Sequence, residues 1–241
     1  MKKKRPISKQ EIDNPISGRP YIKIGFYLFV LLFGITIFQV LLFRYINPPT
    51  TLYIAQEWFV NKLKGKPYKP PDYRWRDLSQ ISPHLRKSVL AAEDQRFLNH
   101  RGFDFIELKD AILDIVDQKR IRGASTISMQ TARTLYLFPS RNFVRKFFEA
   151  YYTVLIELFW DKKRILEIYL NTVDWGRGVM GAEAASIRYF NTSATNLTID
   201  QSALLAAILP NPHVLSPRKP TKKLIETKIR IMNTIHLMPL L

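Results

Sequence analysis

Between Ala91 and Asp104 the chain reads AAEDQRFLNHRGFD. An acidic pair (Glu93, Asp94), an aromatic (Phe97), a histidine (His100), a glycine (Gly102) and a third carboxylate (Asp104) fall within this short run. On a helix, Glu93 and Phe97 stand four apart and share a face. A carboxylate beside an aromatic ring is partly desolvated, which raises its pKa and suits it to proton transfer near neutrality. The same letters also describe a surface Glu-Asp pair on an ordinary amphipathic helix. The stretch alone does not separate the two.

Two further groups could do chemistry. GASTISMQTARTL starts at Gly123, where Ser125 or Thr126 can cap a helix. An exposed helix N-terminus with free N–H groups and hydroxyls is a natural anion site, and Gln130 and Arg133 lie on the next turns. Seen in isolation this is also a plain polar helix start. Farther on, Arg145 and Lys146 share a helix face with Glu149. Such triplets are commonly solvated ion-pair arrays, but Phe147, Phe148, Tyr151 and Tyr152 surround this one. Asp104 and Glu107 have capping-box spacing with Asp in the cap role, which leaves Asp104 either a cap or a direct participant. His100 reads as structural, and His84, His213 and His236 have no context that singles them out.

The elements that must position these groups follow from composition and pattern. A chain of 241 residues holds one substantial domain plus an appendage. It has no cysteine, so no disulfide framework and no thiolate metal site can form. The formal net charge is +17, of which +12 lies beyond residue 43. A basic domain wants an anionic partner: nucleic acid, an acidic membrane surface or a phosphorylated substrate. From Ile24 to Phe43 all 20 residues are uncharged and nearly all are apolar, about what a bilayer core needs. A buried soluble helix is the alternative. Lys2, Lys3, Lys4 and Arg5 precede the run, and the positive-inside rule puts that end in the cytoplasm. An extracytoplasmic domain anchored in this way excludes nucleic acid as a partner.

The expected order is a cytoplasmic basic tail over 1–23, a transmembrane helix over 24–44 and a membrane-proximal linker over 45–74. A catalytic domain over 75–217 and a C-terminal helix over 218–241 follow. The linker region holds a helical stretch from Leu52 to Leu63 and an extended basic segment from Gly65 to Asp72. Ser82 and Pro83 start a helix that carries Leu85, Val89 and Ala92 on its apolar face and delivers Glu93 in its C-terminal half. A helix from Phe105 to about Lys119 comes next. The segment from Arg141 to Asn171 is the longest helical pattern after the span, with Phe147, Tyr151, Val154 and Leu158 as its apolar stripe. Gly176, Gly178 and Gly181 interrupt the pattern before Ala182–Phe190. Thr198 and Gln201 make a capping box ahead of a helix ending at Pro210, and a last amphipathic helix spans Thr221 to Leu237. No strand alternation stands out, so the expectation is all-α.

Four motifs in order then resemble one family, glycosyltransferase family 51 of peptidoglycan polymerases in its monofunctional, membrane-anchored form. They are EDQRFLNHRGFD from Glu93, GASTISMQTAR from Gly123, RKFFEA from Arg145 through KKRILEIYLN to GVMGAEAASIRYF at Phe190, and LLAAILPNP from Leu204. The resemblance covers about residues 75–217. It implies a lysozyme-like all-α lobe with a smaller hydrophobic jaw lobe, behind a single transmembrane helix. It also implies an enzyme that polymerises lipid II into glycan strands in cell-wall synthesis. On that template Glu93 is the base for the acceptor GlcNAc 4-hydroxyl, which attacks C1 of the donor with inversion and displaces undecaprenyl diphosphate.

The leaving diphosphate needs charge neutralisation, for which Arg145 and Lys146 are suitable. Glu149, the second catalytic carboxylate, would orient them, hold a divalent ion or assist departure. Ser125, Thr126, Gln130 and Arg133 match positions lining the donor diphosphate cleft, and Asp94 and Phe97 match substrate-binding positions. No metal-ligand motif is visible, although a divalent cation (Mg or Mn) suits a diphosphate. The implied partners are lipid II, the growing undecaprenyl-diphosphate glycan, the membrane, and other cell-wall synthases or division proteins. The implied location is the cytoplasmic (inner) membrane with the catalytic domain periplasmic.

Three positions depart from the family pattern: Thr134 for a usual asparagine, Met180 for a common aromatic, and Gln201 for a usual glutamate. No transpeptidase activity is expected. Only 24 residues follow Pro217, and the S-x-x-K spacing of Ser216 and Lys219 has no K-T-G partner. The competing readings are a lysozyme-like enzyme that cuts glycan and a non-catalytic partner that binds lipid II.

Overall fold

A computed structural model describes residues 19–117, 123–140 and 142–241. Contacts divide the chain after Leu42, and the second unit, Phe43–Leu241, carries all the groups introduced above. The first helix, α1 (Arg19–Tyr45), contains the expected span, and its Tyr21–Tyr45 stretch is long and apolar enough to cross a membrane. The Arg164 guanidinium meets the carbonyls that end this helix. It donates to Phe43 O at 2.8 and 3.0 Å, to Ile46 O at 2.9 Å and to Asn47 Oδ1 at 2.9 Å. A cation there satisfies orphan carbonyls and complements the helix dipole.

Helix α2 (Leu52–Leu63) has the bounds the pattern implied and starts at a Thr51 cap. The basic linker leads into β1 (Asp72–Tyr73), and the Tyr73 hydroxyl donates to Pro48 O at 2.8 Å. Helix α3 (Pro83–Glu93) starts at Ser82, whose hydroxyl accepts from His84 N at 3.3 Å and donates to Leu197 O at 2.9 Å. Leu85, Val89 and Leu90 of α3 are buried in a core built with α9 (Ile199–Ile208) and α10 (Lys222–Thr234). Each fully buried Leu or Val contributes about 1.5–3 kcal/mol. The capping box of Thr198 and Gln201 is present in both directions, at 3.3 and 3.0 Å. A second packed group joins α5 (Ile127–Tyr136), α6 (Phe143–Phe159) and α7 (Lys162–Thr172).

Four local expectations change. Helix α3 stops at Glu93, with Asp94 at φ −162°, so Phe97 does not share a helical face with Glu93. The long pattern from Arg141 breaks into α6 and α7, because the Asp161 side chain accepts from Arg164 N at 2.7 Å and caps a new start. The stripe on α6 faces outward: Phe147 is 68% and Leu158 70% exposed, while Glu149, Tyr152, Leu155 and Ile156 point in. Phe105, Ile112 and Val116 of α4 (Phe105–Val116) are likewise exposed apolar side chains. The expected extension of α4 toward Lys119 lies outside the described residues.

The fourth change is a small sheet inside the all-α fold. Strand β3 (Val179–Met180) pairs in parallel with β1 and antiparallel with β2 (Asp174–Gly176). Strands this short show no periodicity in a sequence. The glycine after β3, Gly181, has φ +83°, and a Cβ there would lie 2.5 Å from Asn171 O, so only glycine lets the chain turn into α8 (Ala182–Phe190).

Candidate active site

The end of α3 presents Glu93 at a cleft of about 380 Å³ whose wall includes Glu107, Ser125, Thr126 and Arg230. Gln130 reaches Glu93 from the first turn of α5. The Gln130 Nε2 donates to Glu93 Oε2 at 2.7 Å, and the Tyr169 hydroxyl donates to Gln130 Oε1 at 3.3 Å. Both ends of the amide are therefore fixed. Glu93 keeps partial exposure to the cleft, yet dense protein surrounds its carboxyl. Burial raises its pKa; the Gln130 bond and the Arg133 charge oppose this without cancelling it, and neighbouring Asp94 adds to the rise. Tyr169 is fully enclosed, and burial holds its hydroxyl protonated well above the usual range.

The groups around Glu93 set its position. Asp94 Oδ2 accepts from Ile127 N, the first residue of α5, at 3.0 Å, and its Oδ1 lies 2.9 Å from His100 Nε2. Thr126 caps α5 by accepting from Met129 N at 3.2 Å and donates to Gly102 O at 2.6 Å. Gly102 sits at φ +90°, and a Cβ would lie 2.7 Å from Thr153 Cγ2. The first loop is thus locked to the start of α5, which fixes the distance from Glu93 to Gln130. Asp104 caps α4 through Ile106 N and Glu107 N at 3.1 and 2.9 Å, and pairs with both nitrogens of the Arg96 fork at 3.0 and 2.6 Å.

A second cleft, of about 470 Å³, is lined by Tyr53, Arg133, Thr134, Arg145, Asp174 and Met180, among others. Helix α6 starts at Asn142, whose side chain accepts from Arg145 N at 2.7 Å. One turn on, Glu149 is 0% exposed, and its oxygens take Arg145 Nη1 at 2.6 Å and Lys146 Nζ at 2.7 Å. The carboxylate holds two cations that remain partly exposed. The Arg133 guanidinium makes no hydrogen bond or ion pair with any described residue, so it is available to a ligand.

Of the positions expected from sequence, Glu93 and Ser125 line the first cleft, Gln130 is joined to it through its bond to Glu93, and Arg133 and Arg145 line the second. The cation–carboxylate face of Arg145, Lys146 and Glu149 forms as the spacing required. Asp94 and Thr126 contribute to the first cleft's wall while their polar atoms are engaged within the fold. Phe97 is corrected: at 1% exposure it is a core side chain, with Lys162 Nζ 4.4 Å from its ring centre. The aromatic in the Glu93 group is Tyr169, from a helix 70-odd positions away that no local spacing could reveal. Also missed were Arg230 on α10, Tyr53 on α2 and Asp174, which accepts from Gly176 N at 2.8 Å and lies 2.7 Å from His213 Nε2. Both departures from the family pattern that lie near the chemistry, Thr134 and Met180, line the second cleft.

A resident divalent ion does not fit these donors. Among the described residues one group has ligand spacing, Asp94, His100 and Asp104, with ligand atoms within 4.8 Å of one another. Asp104 is already neutralised by Arg96, and Asp94 is bonded to Ile127 N and His100. At Glu149 an ion would have to displace both Arg145 and Lys146.

Comparison with known proteins gives a consistent result. The model of a transglycosylase family matches residues 61–236. A Bacteroides thetaiotaomicron protein named biosynthetic peptidoglycan transglycosylase is 40% identical over 229 residues, covering 95% of this chain and 92% of that protein. A Caulobacter vibrioides protein of the same name is 47% identical over 195 residues, covering 81% and 82% respectively. One from Shewanella oneidensis is 48% identical over 183 residues, covering 75% and 76%.

Proposed function

The chain belongs to the transglycosylase family, and from that premise we propose that it polymerises lipid II into peptidoglycan glycan strands with Glu93 as the base. The single observation that carries the assignment is the Glu93 carboxyl. It is open to a cleft, held by one neutral amide and pushed by burial toward the pKa range of a working base. The acceptor GlcNAc lies in the first cleft with its 4-hydroxyl on Glu93. As the proton passes to Glu93, O4 bonds to C1 of the donor sugar, and the bond from C1 to the diphosphate oxygen breaks with inversion.

The leaving group is undecaprenyl diphosphate, and its new charge falls on Arg133, Arg145 and Lys146. Glu149 keeps the latter two extended into place. The arrangement supports assigning the donor to the second cleft and the acceptor to the first, with Gln130 between them. A magnesium or manganese ion would find its ligands on the diphosphate rather than on a ready-made protein set. Helix α1 anchors the enzyme in the cytoplasmic membrane, with the basic N-terminal tail in the cytoplasm and the catalytic unit outside. The apolar faces of α4 and α6 then meet the lipid that carries both substrates.

The test is polymerisation of labelled lipid II by purified protein beside Glu93→Gln. Polymer from the wild type and none from the variant is expected. Lipid II binding without polymer by either protein would sink the enzymatic reading, and shortening of added glycan by the wild type alone would turn it to cleavage.

A further inference from the structure

A third cleft, of about 360 Å³, is lined by Lys69, Pro70, Asp72, Arg177, Gly178, Val179 and Arg188, and nothing in the proposed reaction uses it. Its three cations come from three elements: Lys69 from the basic linker, Arg177 from the two-residue turn between β2 and β3, and Arg188 from α8. None of the three side chains makes a hydrogen bond or ion pair with a described residue. The one carboxylate in the wall, Asp72, is taken by Arg74 Nε at 3.1 Å. Arg218 donates to the Arg188 carbonyl and brings a further positive charge alongside.

Charge of one sign converging on a concave site raises the local concentration of anions. The geometry of this surface is fixed by the sheet. Asp72 N donates to Gly178 O at 3.0 Å, which ties the linker to the turn. Adjacent residues of a strand face opposite ways. Val179 accordingly lines this cleft and Met180 lines the Arg133–Arg145 cleft, so β3 is the wall between them.

We propose that the Lys69–Arg177–Arg188 cleft is a second phosphate-binding site, which takes the headgroup phosphate of an anionic phospholipid. The choice of a lipid rests on where the cleft is tied. Tyr73, next to Asp72 on β1, donates its hydroxyl to Pro48 O, three residues beyond the end of α1. Chain continuity therefore holds the cleft near the point where the apolar helix leaves the bilayer. Bound lipid would brace the sheet that forms one side of the donor cleft. The inference rests on membrane anchoring alone and not on the transferase reading.

The experiment uses the full chain in neutral maltoside micelles. Binding of short-chain phosphatidylglycerol, phosphatidylcholine and inorganic phosphate is counted by native mass spectrometry. The comparison is with Lys69→Gln/Arg177→Gln/Arg188→Gln and with a charge-matched control, Lys219→Gln/Lys222→Gln/Lys223→Gln. The expected result is a phosphatidylglycerol site that phosphatidylcholine does not fill. The first triple variant should weaken it at least tenfold and the control should leave it unchanged.

Equal binding by wild type and the first triple variant, or equal loss in the control, would overturn the site. Displacement of the phospholipid by equimolar inorganic phosphate would assign it to free phosphate and overturn the lipid. Triple-sensitive binding of lipid-free glycan peptide would do the same in favour of the product strand. Should the triple variant melt below wild type, Arg177→Gln alone, on an exposed turn, must still weaken phosphatidylglycerol binding about threefold for the proposal to stand. Lipid II turnover is measured separately, so a failed transferase reading leaves this result interpretable.

Discussion

The two carboxylates to which the proposed reaction assigns roles occupy opposite environments. Glu93 sits at a helix end, half-open to a cleft, with the neutral amide of Gln130 bonded to it and a pKa raised by burial. Glu149 sits in the middle of α6, closed to solvent, with a cation on each oxygen. The first is arranged so that taking a proton relieves a desolvated charge. The second is closed off between two cations and acts only through what it holds. Residue type alone could not distinguish them; the partners do.

The sharpest way to break that contrast is Glu93→Gln. Loss of a general base costs on the order of 10²–10⁴-fold in turnover, while the amide can still accept from Gln130. A carboxyl whose folded pKa is raised favours folding when protonated and opposes it when charged, so above that pKa the substitution removes a penalty. The expectation is an inactive protein that melts no lower than wild type at neutral pH. A large fall in melting temperature would place Glu93 among the structural groups. The wild type should lose activity on the acid side at a higher pH than an ordinary carboxylate would give. Gln130→Met, which removes a bond favouring the charged form, should move that limb higher still. A limb that moves lower would contradict the role given to Gln130.

For Glu149→Gln the expectation differs in kind. Two charge-assisted bonds are lost, each worth about 1.5–3 kcal/mol, and Arg145 and Lys146 are released toward solvent. Turnover and stability should fall together. If turnover falls at unchanged stability and the pH profile shifts, Glu149 moves protons and the contrast with Glu93 disappears. Arg133→Gln and Arg230→Gln compare the two clefts more gently, since neither guanidinium has a hydrogen-bond or ion-pair partner to lose among the described residues. Arg133→Gln should cut kcat/KM by about 10–100-fold, the equivalent of one charge-assisted bond or more. Arg230→Gln should mainly raise the acceptor KM. Equal effects of the two on donor saturation would show that the clefts are not divided as proposed.

Much of this was legible in the sequence because the signals are local. Caps at Ser82, Asp104, Thr126 and Thr198 all form, and the Arg145–Lys146–Glu149 face follows from helical spacing. The misses share a cause. Phe97 looked like a neighbour of Glu93 only if the helix continued, and α3 ends at Glu93, four residues short of it. The stripe from Phe147 to Leu158 has core periodicity, but periodicity does not say whether the apolar face meets protein or lipid. Tyr169, Asp174 and Arg230 join the clefts through tertiary packing, over separations that no spacing rule covers.

The smallest expected effect bears on Asp104, which sequence left divided between capping and catalysis. It lies in the wall of the Glu93 cleft, yet its oxygens cap α4 and hold Arg96. Asparagine caps a helix about as well as aspartate, so Asp104→Asn keeps the cap and loses only the ion pair with a partly exposed arginine. That should cost about 1 kcal/mol, or roughly 2–4 °C in melting temperature for a domain of this size. Turnover measured well below the melting transition should stay within about threefold of wild type, since no proton path or diphosphate contact changes. A loss of two orders of magnitude at intact stability would make Asp104 a third participant beside Glu93, and the first cleft would then no longer rest on a single base.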